Sequence, residues 1–218
     1  MGNVKIYLHN YLLTMIITDL PYFGSISFFQ EITQTENICF DNNAPFSKMS
    51  FKNRMVIASA QGPLHLTMPI IGGRDQKTPL NQVLISYDTP WRAQHLKAII
   101  SSYKRSPYFD YYQASLETLY ESKPDNLIDF LINCHIWIQQ QLKGKWEIHS
   151  ISSFNELDFL KWKRVFHKYL PKNYDKIENP IKYQQVFEDK VGFVPNLSIL
   201  DLLFCVGGRQ ANEILKTH

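Results

Sequence analysis

The chain has 218 residues, 44% hydrophobic and 14% aromatic, the composition of a globular protein large enough to bury one substantial core. Its 23 Lys and Arg against 20 Asp and Glu leave a formal charge of +3 with the signs interspersed, so no basic stripe favours nucleic acid or an anionic membrane surface. Three distant cysteines, Cys39, Cys134 and Cys205, offer neither a disulfide framework nor a CxxC metal pair, and they fit reduced thiols in a cytoplasm.

Ile6 to Ile17 is the only stretch resembling a targeting segment, and His9 and Asn10 interrupt it before it is long enough to span a bilayer. The expectation is an N-terminal extension over residues 1–14, with Met15 as an alternative start, and a single domain over 15–218. From Met15, Met-Ile-Ile-Thr reads as a strand, Pro21 ends it, and Gly24-Ser25 opens a helix with Ile26, Phe28, Phe29 and Ile32 on its apolar face. Asn37 to Asp41 reads as a second strand, giving a parallel βαβ start. Two alternating runs, Arg54 to Ala60 and Leu64 to Ile70, are joined by Gln61-Gly62-Pro63 as a hairpin, with Leu64, Leu66 and Met68 facing one way and His65 and Thr67 the other. A further short strand is expected around Val83 to Tyr87.

The period then becomes helical. Thr89 caps and Pro90 begins a helix that runs through Trp91 to Tyr103, and Pro107 ends it. Helices follow from about Asp110 to Glu121 and, capped by Asp125, from Asn126 to Leu142 with Gly144 as the stop. Trp146 to Ile151 is a candidate strand, Phe154 to Tyr169 is amphipathic, and Lys172 to Lys182 is a linker. Asn196 to Cys205 forms a final apolar helix closed by Gly207-Gly208, apolar enough that it must dock on the main body. The fold class is therefore α/β: an N-terminal mixed sheet with a βαβ start and hairpin, followed by a helical half, in one domain.

Common catalytic signatures are missing. The chain has no GxxxxGK[ST] loop, no GxGxxG after a strand, no HExxH and no GxSxG elbow. A strand, Pro/Gly turn and helix also open the nucleotidyltransferases with a HxGH motif, but Pro21-Tyr22-Phe23-Gly24-Ser25 contains no histidine. The sharpest candidate is the helix after Thr89, where Arg92 and His95 fall within the apolar arc of Trp91, Leu96, Ile99, Ile100 and Tyr103. In the first two turns, where the helix dipole favours anions, they suit a phosphate or carboxylate. The alternative is that Arg92 snorkels over the core edge and His95 bonds a carbonyl. Arg54, with Lys52 and Asn53, is a second cationic point or a solvated strand start. Asp41 stands at the carboxyl end of the second strand, either as a ligand group or as a turn cap. Gly72-Gly73-Arg74 is an anion-binding loop or only a bend. The aromatic group Tyr103, Tyr108, Phe109, Tyr111 and Tyr112 lines a sugar or base pocket, or forms core and rim.

In order along the chain, Leu20-Pro21-Tyr22-Phe23-Gly24, Phe51-Lys52-Asn53-Arg54, Gly62-Pro63, Leu66-Thr67-Met68-Pro69-Ile70, Trp91-Arg92 with His95, Ile99 and Tyr103, and Pro107-Tyr108-Phe109 resemble the WbqC-like proteins of bacteria. So do Tyr183-Gln184-Gln185-Val186-Phe187 and Gly192-Phe193-Val194-Pro195-Asn196-Leu197-Ser198-Ile199-Leu200-Asp201-Leu202-Leu203-Phe204, a tail most like that of Bacteroidetes members. The resemblance spans roughly Met15 to Gly207 and agrees with Met15 as the start. One departure is that many members carry His-Gln-Pro before the Leu-Pro motif, where this chain has Ile16-Ile17-Thr18-Asp19.

The resemblance implies a place in O-antigen or other surface-polysaccharide biosynthesis, with some members described as aminoacyl or glycine transferases acting on sugars. The expected site has His95 and Asp41 as catalytic groups, and Tyr22, Asn53, Arg54, Trp91, Arg92 and Tyr103 as ligand-binding groups, with no metal. The cofactor is left open by the sequence. The expected activity is transfer of a small acyl or aminoacyl group to an amino-sugar or nucleotide-sugar, with His95 as general base and the arginines holding the anionic part. The alternative is a non-catalytic accessory protein that grips a nucleotide-sugar or a protein partner through the same cleft.

Overall fold

The computed structural model describes residues 15–47, 49–72, 78–153, 162–164 and 170–217. The expected extension over 1–14, the loop residues 73–77 and most of the amphipathic stretch 154–169 lie outside them. The strands are β1 (Met15–Thr18), β2 (Asn37–Phe40), β3 (Arg54–Ile57), β4 (Leu64–Thr67), β5 (Glu147–Ser150) and β6 (Lys163–Arg164). The helices are α1 (Ile26–Ile32), α2 (Trp91–Tyr103), α3 (Phe109–Glu121), α4 (Leu127–Leu142), α5 (Glu188–Val191), α6 (Ile199–Val206) and α7 (Gly208–Thr217).

The α/β architecture is as expected, strands near the N-terminus forming a sheet and then a helical half, in one domain, and β5 and β6 join that sheet from later in the chain. The strands divide into two sheets. β5, β2, β1 and β6 form a wholly parallel sheet in that order, with Ile16 opposite Ile38 and Cys39 opposite His149. All four residues of β1 and of β2 are buried, so neither strand alternates between a core and a solvent face, as expected of parallel strands covered on both faces. Ile16, Ile38 and Phe40 face the main core; Met15, Ile17 and Cys39 face a small cluster with Trp162 on the other side.

β3 and β4 pair antiparallel as a separate hairpin, Arg54 opposite Thr67, turning through Gly62 at φ +107°. Val83 to Tyr87, expected as a strand, forms only isolated bridges, Ile85 with Ile70 and Leu84 with Asn126. Its neighbour beyond β4 is Pro69, which accepts from Ser86 N–H but has no N–H to return, so the ladder stops there.

Several helix boundaries differ from expectation, among them that of α6, which starts at Ile199 after a Ser198 cap and not at Asn196. α2 begins at Trp91 with Pro90 at the cap position, and α4 at Leu127 with Asn126; neither cap residue makes a side-chain bond. α4 ends in a left-handed Lys143 (φ 52°), not Gly144. Gly144 is required for a different reason, because a Cβ there would lie 2.0 Å from the Trp146 ring.

The apolar helix is not the last. Gly207 turns the chain and α7 continues it, its amphipathic face closing on α4 and α6. Before α6, residues 196–199 run between the first turn of α1 and the hairpin. Ile26 N–H donates to Leu197 O, Ser198 N–H to Val56 O and Ile199 N–H to Gly24 O, all within 2.9 Å. These bonds fix the turn between β1 and α1 from behind.

Candidate functional site

From β1 the chain lays β2 and then β5 to one side and β6 to the other, so the strand order reverses beside β1. In open parallel sheets the crevice outside the strand carboxyl ends at such a reversal is where ligands bind. The turn there is Asp19-Leu20-Pro21-Tyr22-Phe23-Gly24. It is tight enough that a Cβ on Gly24 would lie 2.6 Å from the Pro21 ring, and Phe23 is held at φ 43° with its side chain fully buried. A bulky residue in the left-handed region costs on the order of 1–3 kcal/mol, and strained backbone of this kind collects at functional sites.

Beside this turn Lys52 is 2% exposed and its ammonium lies 3.1 Å from the carboxylate of Asp19, which is 24% exposed. Phe51 O accepts from Tyr22 N–H at 2.8 Å, so the segment carrying Lys52 is pinned to the turn. Lys52 is thus no solvated strand start. A buried ammonium needs its counter-ion, and the pair presents one carboxylate at the surface with a cation behind it.

Beneath the turn lies a polar network. Tyr22 Oη is 3.0 Å from His95 Nδ1 and also bonds Tyr120 Oη. Burial holds both phenols well above their ordinary range, so they stay protonated. Burial lowers His95 to about 4, against a smaller opposing effect of its hydrogen bond to the Thr67 backbone. A neutral imidazole has one donor and one acceptor; with the Thr67 carbonyl taking the N–H, Nδ1 accepts from Tyr22. His135 stands under the same turn, its Nε2 3.0 Å from Pro21 O, also lowered to about 4 by burial. Its Nδ1 is buried without a partner.

A second buried group is Asp201 in α6. Its carboxylate accepts from Tyr103 Oη at 2.7 Å, Tyr183 Oη at 2.5 Å and Gln185 Nε2 at 3.2 Å. Burial pushes it up to about 6, the three donors opposing. Tyr103 Oη in turn accepts Ala58 N–H, linking α6 to the residue just beyond β3.

The expected site residues fall into separate places. Tyr22, His95 and Trp91 come together, the Trp91 and His95 rings 5.2 Å apart edge to face. Arg92 stands beside them, but its Nη1 donates to the carbonyls of Tyr120, Glu121 and Ser122 at the end of α3, and its guanidinium lies over Tyr87. Tyr103 belongs to the Asp201 network. Asn53 ties the hairpin, its Nδ2 donating to Met68 O. Arg54 Nη1 contacts Met49 Sδ at 3.5 Å while its Nε is buried without a partner, and Arg54 and Arg92 share no partner. Asp41 caps its own turn, accepting from Asn43 and Ala44 N–H.

Asp19, Lys52, His135 and Asp201 were missing from that set. Asp201 carries a signal in sequence, a carboxylate inside Leu-Ser-Ile-Leu-Asp-Leu-Leu-Phe, and Lys52 stands in the cationic run Lys-Asn-Arg; Asp19 and His135 carry none that distinguishes them from surface or core residues. Among the described residues no group of three or more His, Cys, Asp or Glu could hold a metal ion, and no helix is long and apolar enough to cross a membrane.

Fold and edge together define an α/β protein on an open parallel sheet, with a strained turn and a buried ion pair at the strand reversal. The family model for the WbqC-like protein family matches residues 20–170, and the chain belongs to that family, which is loosely associated with polysaccharide biosynthesis. No curated protein and no solved structure matches it significantly.

Proposed function

We propose that the protein is an enzyme of surface-polysaccharide biosynthesis that transfers a small acyl or aminoacyl group to an amino-sugar or nucleotide-sugar bound at the carboxyl edge of β1. The observation that carries this reading is the Asp19–Lys52 pair beside the strained turn. Asp19 offers a partly exposed carboxylate to the acceptor amine and receives its proton as the nitrogen attacks the acyl carbon; the bond from that carbon to the thiol, phosphate or hydroxyl of the donor then breaks, and the leaving group departs with the electron pair and takes the proton back from Asp19. Lys52 holds that carboxylate in place and offsets its charge, so that an anionic acceptor is not repelled from the edge. His95 serves as a positioning residue: neutral and closed from solvent, it orients Tyr22 and so the turn that carries Asp19.

One observation favours the accessory-protein reading. Both ring nitrogens of His95 are engaged inside the protein, so the histidine expected as general base has no free acceptor. The test is a thermal-shift panel of nucleotides, nucleotide-sugars and acyl and aminoacyl donors, since a ligand of the native state raises apparent stability with its concentration over Kd. A nucleotide-sugar that stabilises the wild type and not Asp19→Asn supports the edge site, and mass spectrometry of the sugar after adding donors then reads transfer. Binding without any mass change with every donor class supports the accessory protein. Equal stabilisation of wild type and Asp19→Asn overturns the edge site.

A further inference from the structure

We propose that the protein carries a second binding site, for an uncharged saccharide, in a cavity of about 540 Å³ where the start of α3 and the end of α4 meet the start of α7. The volume lies in the range of small-molecule sites. One wall is aromatic. Tyr111 is 79% exposed and Tyr108 43%, and Tyr111 is braced edge to face against Tyr112 at 5.0 Å. The other walls are amides: Gln140, Gln141 and Gln210 line the cavity, and their side chains make no hydrogen bond within the protein among the described residues.

Close approach of backbone builds the concavity. A Cβ on Gly208 would lie 2.0 Å from Gln141 O, and one on Gly207 2.8 Å from the Tyr108 ring. Gly208 N–H donates to Tyr112 Oη, which locks α7 onto α3. Two adjacent glycines therefore bring three helix ends together and stand Tyr108 at the rim.

The chemistry selects a pyranose. Its C–H face stacks on an exposed tyrosine, and its hydroxyls both donate and accept, which matches primary amides that do the same. A phosphate is disfavoured, because Arg209 is paired with Glu213 at 3.3 Å and only Lys143 of the lining cations has no acidic partner among the described residues. The site is also apart from the Asp19–Lys52 edge. α4 ends a few residues before β5 begins, and in a wholly parallel sheet the strand beginnings lie at the opposite edge from the β1 turn. The inference rests on this cavity alone and not on the transfer reading.

The experiment is amide NMR of the ¹⁵N-labelled full chain, titrated with methyl glycosides and disaccharides of hexose, N-acetylhexosamine, 6-deoxyhexose and uronic acid types, with inorganic phosphate beside them. The expected result is that at least one neutral saccharide shifts the Gly208 amide and the side-chain amides of Gln140, Gln141 and Gln210. Its Kd rises about tenfold in Tyr111→Ala, the loss of one aromatic stacking partner. Tyr111 is exposed, so this variant keeps the fold, and Gln210→Ala, also at an exposed position, weakens binding independently. Lys52→Met leaves the titration unchanged, so failure of the edge reading is seen separately. The proposal is overturned if no neutral saccharide shifts these signals, if the uronic acid or phosphate shifts them more strongly, or if both variants bind as the wild type does.

Discussion

Acidification tests the buried network directly. His95 and His135 fall from an ordinary value of 6.5 to about 4 in the folded protein, both through burial. The unfolded chain therefore binds more protons between those values, and stability falls as pH drops from about 6.5 to about 4. A tenfold change in proton affinity is worth about 1.4 kcal/mol, so each imidazole accounts for a loss of about 3 kcal/mol. Asp201 acts in the other direction. Its folded value of about 6 stands above the ordinary 3.8, so the native state binds the extra proton and stability rises by about 3 kcal/mol over the same descent. The net expectation from the three is a loss of about 3 kcal/mol between pH 6.5 and pH 4. Urea unfolding followed by tryptophan fluorescence across that range measures it. His135→Gln keeps a donor for Pro21 O and cannot titrate, so it should remove about 3 kcal/mol of the acid loss. Adding His95→Gln should reverse the slope, leaving the Asp201 effect against a lesser opposing one from His65, which burial also lowers, and Asp201→Asn alone should steepen the loss. If both histidine substitutions leave the slope of the wild type unchanged, the buried neutral imidazoles are not the acid-sensitive groups and the reasoning fails.

Three other outcomes follow from the packing. Lys52→Met strands Asp19 beside an apolar side chain and should destabilise by about 2 kcal/mol, less than for a fully enclosed pair because Asp19 keeps some solvent; chemical denaturation of the variant checks this. Gly144→Ala drives a methyl into the Trp146 ring and should cost about 2–3 kcal/mol, read as a lower Tm, whereas an unchanged Tm would contradict the close approach. Arg92→Ala removes three hydrogen bonds at the carboxyl end of α3 and should cost about 1–2 kcal/mol. Hydrogen exchange should then rise in Leu119 to Ser122 ahead of the rest of α3, and uniform protection would count against the capping role.

Local pattern determined a large part of this protein. Period two over 64–68 placed Leu66 and Met68 inside and His65 and Thr67 outside, because strand geometry alone alternates the side chains, and the short apolar runs Met15-Ile16-Ile17 and Ile38-Cys39-Phe40 specified strands buried on both faces. The apolar density of 199–205 required docking, and the ordered motifs from Leu20 onward carried the family. Tertiary structure decided which polar residues share a place. Arg92 lies in the right helical arc for an anion, yet the nearest uncompensated groups are the carbonyls ending α3, a neighbour 28 to 30 residues away that no helical periodicity reveals. Lys52 looks like a surface lysine until the sheet places Asp19 beside it, and Asp201 acquires its partners from α2 and from the 183–185 segment. Burial and charge compensation are properties of what surrounds a side chain, and most of those surroundings come from distant sequence, which is why the fold was legible in the chain and the site was assembled only by folding.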